Sequence, residues 1–455
     1  MTMKYTHTAL KFALMAAAML TSCSQTEDIA RMEENETPVR IMPSVGGQEF
    51  SINETRAVGP FEKWSDTPTL WQNADFYTFA LECYNHLCGE ADYTKRSDVM
   101  YNQLMHIVNS KGEVAFINRD AAGVDTEAYR YYSNWRSKRY KFFTYFTDDA
   151  VIDTTRLRDN KDKITARIVS IDGHQDLMHG FAYHTDAELQ QLVDNMDEGQ
   201  QKDIFKNGNG GREFLYSGMA GNRDIHPRFH LNHLLCRFDV SVQGMMGTND
   251  KHGFLRVLVD TVAINAPTTA TLTIADSTWN DETTYKAAVD NQEILVWDNG
   301  AKDYYLNILQ QNMTNGGYES GVDYSALETH LATNGLLPNH AFHQVSSTDA
   351  QPLCESALLP VTTDSIDITL SYLYIFAHYD AATTSWIVND DEIRDRGRWP
   401  THVRLGLPEG HRFTPGHKYS ILLKIYGPEE VTATVVGLDE EQWIYDKETD
   451  LEISD

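Results

Sequence analysis

Two histidine pairs, His230-x2-His233 and His340-x2-His343, and one cysteine pair, Cys83-x4-Cys88, are the residues whose types and spacing could hold a metal. On a strand, positions i and i+3 point to opposite faces, so neither histidine pair converges without a turn. The cysteine spacing is not the C-x2-C of a zinc site, although it would permit a local bridge. Asp194-Asn195-Met196-Asp197-Glu198-Gly199 lacks the 1-3-5 carboxylate rhythm of a calcium loop. No serine nucleophile elbow, phosphate-binding loop, H-E-x-x-H or G-x-G-x-x-G occurs. Acidic pairs are plentiful but sit in polar stretches, where a solvated face is the default. The chain therefore reads as a non-enzyme with no catalytic residue, no metal and no cofactor.

One cysteine does carry a chemical signal. Lys4 and Lys11 precede a short apolar run from Phe12 to Leu20, followed by Leu20-Thr21-Ser22-Cys23. The run is about half the ~20 residues that a membrane-spanning helix needs, so it reads as a signal peptide. Small residues ahead of a cysteine resemble a lipoprotein signal-peptidase box, which makes Cys23 the expected lipidation site. A thioether diacylglycerol plus an amide-linked acyl chain such as palmitate is enough for stable membrane anchoring. Ser24-Gln25-Thr26-Glu27-Asp28 and the polar residues to Thr37 follow as a tether, too polar to fold alone. A glutamine-acidic cluster at that place resembles an outer-membrane export tag, and it equally fits plain linker composition.

The formal net charge is −28, and losing residues 1–22 would remove Lys4 and Lys11 but no acid. Such a charge argues against nucleic acid or an anionic membrane face as partner. The 455 residues exceed what one core usually holds, which predicts two domains, over 38–221 and 222–455. Beyond Cys23 the cysteines are Cys83, Cys88, Cys236 and Cys354, too few for a disulfide framework in a chain this long.

The elements that would position any site are strands. Leu234, Cys236, Phe238, Val240 and Val242 alternate with Leu235, Arg237, Asp239 and Ser241, the period-2 pattern of a half-buried strand. Burying those five apolar side chains would contribute roughly 1.5–3 kcal/mol each, as an upper bound. Phe229 and Leu231 lie on the opposite parity, so a bulge or kink is expected at His233-Leu234. There His233 reads as a satisfied core histidine, and Cys236 as a small core residue. Other strands are expected around Val39–Ile41, Tyr77/Phe79/Leu81, Val114–Ile117, Tyr140–Phe146 and Ile164/Ala166/Ile168. Later ones are expected at Val259–Ile274, Ile366–Phe376, Tyr419–Ile425 and Val431–Val435. Helices are few: a capping box at Thr185 and Glu188 with Leu189, Leu192, Val193 and Met196 on one face, and a short face at Tyr324, Leu327 and Leu331. Strands dominate and no β-α-β alternation is seen, which predicts an all-β fold of two antiparallel β-sandwich domains with a few short helices.

The cluster Tyr129, Tyr131, Tyr132, Trp135, Tyr140, Phe142, Phe143, Tyr145 and Phe146 invites a second reading. Aromatic faces stack on glycans, but a β-sandwich core uses the same residues.

Several segments in order are similar to the fimbrillin family, lipid-anchored precursors of pilus subunits on Gram-negative anaerobes. Thr55-Arg56-Ala57, Trp71 and Phe76–Ala80 resemble the family's opening, with Asn73-Ala74-Asp75 where a Gly-Asp is usual. Trp135 with Tyr140–Phe146 looks like its aromatic strand, and Gln175-Asp176-Leu177-Met178 like its D-L-M strand. Phe229–Val242 with the Pro-Thr-Thr turn of Val259–Ile274, the Phe413–Tyr419 turn and Trp443 complete the likeness. Asn280–Pro360 reads as insertions.

The resemblance implies two transthyretin-like sandwiches and a structural subunit of cell-surface fimbriae, with cell adhesion as its setting. Its partners would be other fimbrial subunits, joined by β-strand addition, in which a donor strand fills an empty strand position. An Arg-specific surface protease would cut between Arg56 and Ala57, releasing the lipid anchor on Cys23 and the first strand. Before maturation the protein would sit in the cell outer membrane through that lipid. Asn53, Gly59 and Pro60 mark the Arg56 segment as an exposed irregular loop. Pro43 limits the strand of Val39, Ile41 and Val45 to a sheet edge. Beyond Trp443 only Leu451 and Ile453 alternate, among many acids, which leans toward an accessory or tip subunit over a shaft subunit. The other class of function is a surface glycan-binding lipoprotein serving polysaccharide uptake.

Overall fold

The computed structural model describes residues 42–45, 74–83, 93, 99–107, 114–131, 139–147, 151–159, 162–184, 194, 227–244, 253–298, 300–309, 343–344, 349–361, 363–380, 382, 385–387, 393–394, 401–408, 411–426 and 431–439. Before residue 222 the strands are β1 (Met42–Val45), β2 (Phe76–Cys83), β3 (Met100–Ile107), β4 (Val114–Arg119), β5 (Asp125–Ala128), β6 (Arg139–Thr147), β7 (Val151–Asp159), β8 (Lys163–Ser170) and β9 (Leu177–Ala182). After it come β10 (Arg228–His233), β11 (Cys236–Gly244), β12 (Gly253–Pro267), β13 (Ala270–Asp276), helix α1 (Glu282–Asp290), β14 (Leu295–Trp297) and β15 (Ala301–Tyr305). The rest are β16 (His343–Gln344), β17 (Gln351–Pro352), β18 (Ala357–Leu359), β19 (Ser365–Asp380), β20 (Ser385–Ile387), β21 (Ile393–Arg394), β22 (Thr401–Gly406), β23 (Lys418–Ile425) and β24 (Val431–Asp439).

These strands form four sheets. An eight-stranded sheet runs β1-β10-β9-β6-β2-β3-β4-β5, and a four-stranded one runs β14-β13-β8-β7. A five-stranded sheet is built on β17-β11-β23-β24 with β18 on β11. A seven-stranded sheet has β15-β12-β19-β20 as its path, with β16 beside β12 and β21 and β22 beside β19. Pairing is antiparallel except between β1 and β10 and between β11 and β23. The all-β class is therefore as the alternation implied. Strands on both sides of residues 221 and 222 share two of the sheets, since β10 joins β9 and β13 joins β8.

The sequence pattern explains which strands lie deepest. In β8 only Ile164, Ala166 and Ile168 face the core, and their neighbours are half-buried or exposed. β6 is covered on both faces, with Tyr140, Phe142, Phe143 and Tyr145 all fully buried. β11 keeps the expected alternation over Phe238, Val240 and Val242, with Asp239 and Ser241 half-buried.

The expected kink at His233-Leu234 is larger than a bulge. β10 and β11 belong to different sheets, so the chain changes sheet across Leu234 and Leu235. The Pro-Thr-Thr turn does the same between β12 and β13. The Phe413–Tyr419 turn braces the first of these corners. Gly416 takes φ +79 and its N–H donates to Leu235 O at 2.9 Å, while Arg237 N donates to His417 O at 3.0 Å. A side chain at that φ would be strained, which is why glycine stands there. Phe413 packs edge-on against Tyr419 at 4.7 Å, and both rings meet Phe238.

Among the described residues α1 is the one helix with named bounds. It was not legible as one, because Asn280–Pro360 read as insertions. Its signal is the capping box, in which Thr284 N donates to Asp281 Oδ1 at 2.8 Å and Asp281 N to Thr284 Oγ1 at 3.1 Å. Tyr285 and Ala288 form its buried face. The helices expected at Thr185–Met196 and Tyr324–Leu331 lie outside the described residues, apart from Asp194. No described helix is long and apolar enough to cross a membrane.

Two pairs of sheets are in contact. β22 of the seven-stranded sheet lies beside β24 of the five-stranded sheet. In the other pair, Phe143 and Phe181 of the eight-stranded sheet meet Trp279, just past β13, with ring centroids 6.0 and 6.4 Å apart. Lys141, only 1% exposed, crosses the same gap. Its Nζ donates to Ser277 O and Trp279 O at 2.9 Å each and to Asn280 Oδ1 at 2.6 Å. A buried ammonium is tolerated only when its protons are so directed.

Candidate functional site

The arrangement that bears on function is the edge of the eight-stranded sheet where β1 meets β10. β10 reads Phe-His-Leu-Asn-His after Arg228, and Phe229 and Leu231 are 0% and 1% exposed. Burial of two such side chains stabilises the strand by roughly 1.5–3 kcal/mol each. On its inner side β10 pairs antiparallel with β9, His230 opposite Phe181 and Leu231 opposite Gly180. Gly180 is needed for close approach: a Cβ there would lie 2.7 Å from Leu231 Cδ2 and 3.0 Å from Thr144 Cγ2.

The polar residues of β10 are tied into the core. His230 stacks on Tyr183 with centroids 3.9 Å apart, and its Nε2 donates to Tyr183 O at 3.1 Å. His233 Nδ1 donates to the Asp176 carboxylate, 2.8 Å from Oδ2, with both side chains buried. Asn232 Nδ2 donates to the Tyr285 hydroxyl at 3.3 Å. That hydroxyl lies 2.8 Å from His179 Nδ1, and His179 Nε2 is 2.8 Å from Ile274 O. A carbonyl only accepts, so Nε2 carries the proton and Nδ1 accepts from the tyrosine. Burial holds the His179 imidazole down at about 4, against a partial lift from the Ile274 hydrogen bond.

Among the described residues β1 pairs with β10 alone, in parallel register from Met42 opposite Arg228 to Val45 opposite Leu231. Pro43 stands opposite Phe229, where it has no N–H to give. The expected edge strand thus lies at a sheet edge, with Met42–Val45 described and Val39–Ile41 outside the described residues. Cys23, Arg56 and Ala57 also lie outside them, as do Cys88, His340, Trp71, Trp135 and Trp443.

The remaining candidates are resolved by their partners. His230 binds Tyr183 and His233 binds Asp176, so this pair does not converge on one point. Among the described residues no group of three or more His, Cys, Asp or Glu could hold a metal. Cys236 is a core residue whose Sγ lies 3.2 Å from Val361 O, and burial pushes its thiol up. Cys354 is likewise buried, its thiol pushed up to about 12 by burial first and by Asp239 next.

The aromatic cluster divides. Tyr140, Phe142, Phe143, Tyr145 and Phe146 are core, while Tyr129 is 47% exposed and Tyr131 half-buried. At the far side of the sheet, Asp75 gathers His106 at 2.7 Å and Arg119, which also binds Asp125. Burial alone would raise the Asp75 carboxyl, but the hydrogen bonds from His106 and Arg119 outweigh it and bring it to about 2.

No family model matches the chain, and no curated protein does. Among solved structures it is similar to a fimbrial protein from Bacteroides vulgatus at 12% identity and a TM-score of 0.47, over 90% of this chain and 99% of that one. It is also similar to the fimbrial anchor protein Mfa2 from Porphyromonas gingivalis at 10% identity and a TM-score of 0.27, over 89% of this chain and 97% of that one.

Proposed function

We propose that this protein is a structural subunit of cell-surface fimbriae, assembled by replacement of β1 with a strand from a neighbouring subunit. The observation that carries the reading is the placement of β1: a four-residue strand, paired among the described residues on one side only, next to a core strand. Its parallel ladder is slightly weaker per residue than an antiparallel one, and Pro43 removes a donor. Loss of β1 would leave β10 with a row of backbone groups unpaired over Arg228–Leu231. Such an edge is a template for an incoming strand. β10 itself would stay in place, because Phe229 and Leu231 are held by the core and β9.

In this reading Cys23 holds the precursor on the outer membrane by lipid, and an Arg-specific protease cuts between Arg56 and Ala57. The cut lies after β1, so one event frees both the anchor and the strand. No catalytic residue is required of the subunit itself. The acidic residues 446–455 would insert poorly into an apolar groove, which favours an accessory or tip position. Deleting them should leave incorporation nearly intact, and complete loss of polymer would exclude that position.

The test is to run unboiled SDS gels of surface material from cells that make the full-length protein, where the other fimbrial subunits are present, and to detect this protein in them. A ladder of SDS-resistant oligomers is expected from the wild type and none from Arg56→Ala. A ladder of equal strength from Arg56→Ala, or no ladder from either, would overturn the proposal.

A further inference from the structure

A concave site lies well away from β1, at the opposite end of the eight-stranded sheet. It is a cleft of about 470 Å3, lined among others by Tyr101, Gln103, Tyr129, Arg130 and Tyr131. That volume falls in the range of roughly 300–1,000 Å3 usual for small-molecule sites. A bulge builds it: Thr78 opposes Gln103 and Ala80 opposes Met100, so β3 carries one residue more than β2. Asn102 absorbs the extra length at φ +51 and turns its side chain to Tyr145, whose hydroxyl donates to Asn102 Oδ1 at 2.9 Å. Bulges of this kind re-aim side chains beside functional sites.

Arg130 is held rigidly at the cleft. Its Nε donates to Gln103 Oε1 at 2.9 Å, and its Nη2 donates both to the same oxygen and to Asn118 Oδ1. Its Nη1 donates to Tyr129 O at 3.1 Å. Gln103 is fixed in turn, because its Nε2 donates to Leu104 O at 3.0 Å and Ile117 O at 2.6 Å. Every one of these acceptors of Arg130 is a neutral oxygen. In a chain of net charge −28, this guanidinium has no carboxylate partner among the described residues. Four of its five N–H groups are used for orientation, leaving one N–H of Nη1 and the whole positive charge for something else. Burial also lowers the arginine from its ordinary value, as expected of a charge lacking a counter-ion.

The tyrosines supply the second half of the chemistry. Tyr101 is braced edge-on by Phe79 at 5.1 Å, and Tyr129 offers its ring to solvent. Such rings pack against the apolar face of a pyranose and hydrogen bond through their hydroxyls. We propose that the cleft binds a sugar acid, with Arg130 receiving its carboxylate and the three tyrosines its ring. An acidic peptide fits less well, because it brings several carboxylates toward a strongly negative protein to meet one cation. The site lies apart from the β1 edge, so it stands or falls independently of the assembly proposal.

The probes are cellobiouronic acid, which carries one carboxylate, and cellobiose, its neutral counterpart, titrated into the full-length protein by saturation-transfer NMR. The acid should bind about tenfold or more tighter than the neutral sugar, as expected of one charge-assisted contact. Arg130→Gln should abolish that preference while the weak binding of cellobiose persists, and Tyr129→Ala, at an exposed position, should weaken both sugars. Equal affinity of the wild type for acid and neutral sugar, or no binding of either, would overturn the proposal without any variant. Retention of the preference in Arg130→Gln would do so too, as would tighter binding of a diglutamate peptide than of either sugar.

Discussion

Acidification should reveal His179. Its ring is fully buried between the eight-stranded and four-stranded sheets, with Nε2–H on Ile274 O and Nδ1 facing the Tyr285 hydroxyl. The tyrosine could turn to accept from a protonated ring, so the obstacle to protonation is loss of solvation more than loss of a hydrogen bond. In the folded chain the imidazole is lowered from 6.5 to about 4, mainly by burial. The unfolded chain therefore takes up a proton first as pH falls, and stability present above 6.5 is lost on the way down to about 4. The difference corresponds to about 3 kcal/mol. His179→Gln keeps one donor and one acceptor but cannot titrate. Urea unfolding of both proteins at several pH values from 7 to 4 should show the wild type losing about 3 kcal/mol more than the variant over that interval. Parallel pH profiles would refute the reasoning, as would an NMR titration of the folded protein placing His179 near its ordinary value.

Other outcomes follow from the same packing. Lys141→Met should destabilise by about 3–5 kcal/mol, because three inward-facing acceptors lose a charged donor; denaturant midpoints measure it. Gly180→Ala should lower the thermal midpoint, since a new Cβ within 3 Å of Leu231 and Thr144 overpacks by about 1–3 kcal/mol. The Asp75 carboxyl, brought down to about 2, contributes stability above its ordinary value that is lost as pH falls through that lower range. Asp75→Asn should therefore show a flatter stability profile below pH 3.8 than the wild type. Cys23→Ala should leave unprocessed or soluble protein, read by membrane fractionation and intact mass.

What the sequence disclosed follows from how local each signal is. Period-2 alternation is a property of neighbouring residues, so β8, β11 and the start of β19 were legible, and Pro43 marked β1 as an edge strand. Sheet membership is not local. Nothing in Phe229–Val242 says that one half pairs with Met42–Val45 and the other with Lys418–Ile425. Lys141 was invisible for the same reason, since its acceptors lie some 136–139 residues further along the chain. The aromatic cluster shows the limit of composition: Tyr140, Phe142, Phe143, Tyr145 and Phe146 fill β6, while among its described residues Tyr129 and Tyr131 reach a cleft, where Arg130 between them was the overlooked residue.

The most direct measurement of the strand-replacement account is amino-terminal sequencing of subunits from sheared surface fimbriae. A start at Ala57 is the predicted result, because β1 must leave before the edge of β10 can accept another strand. Assembled subunits that still begin at Cys23 would contradict it.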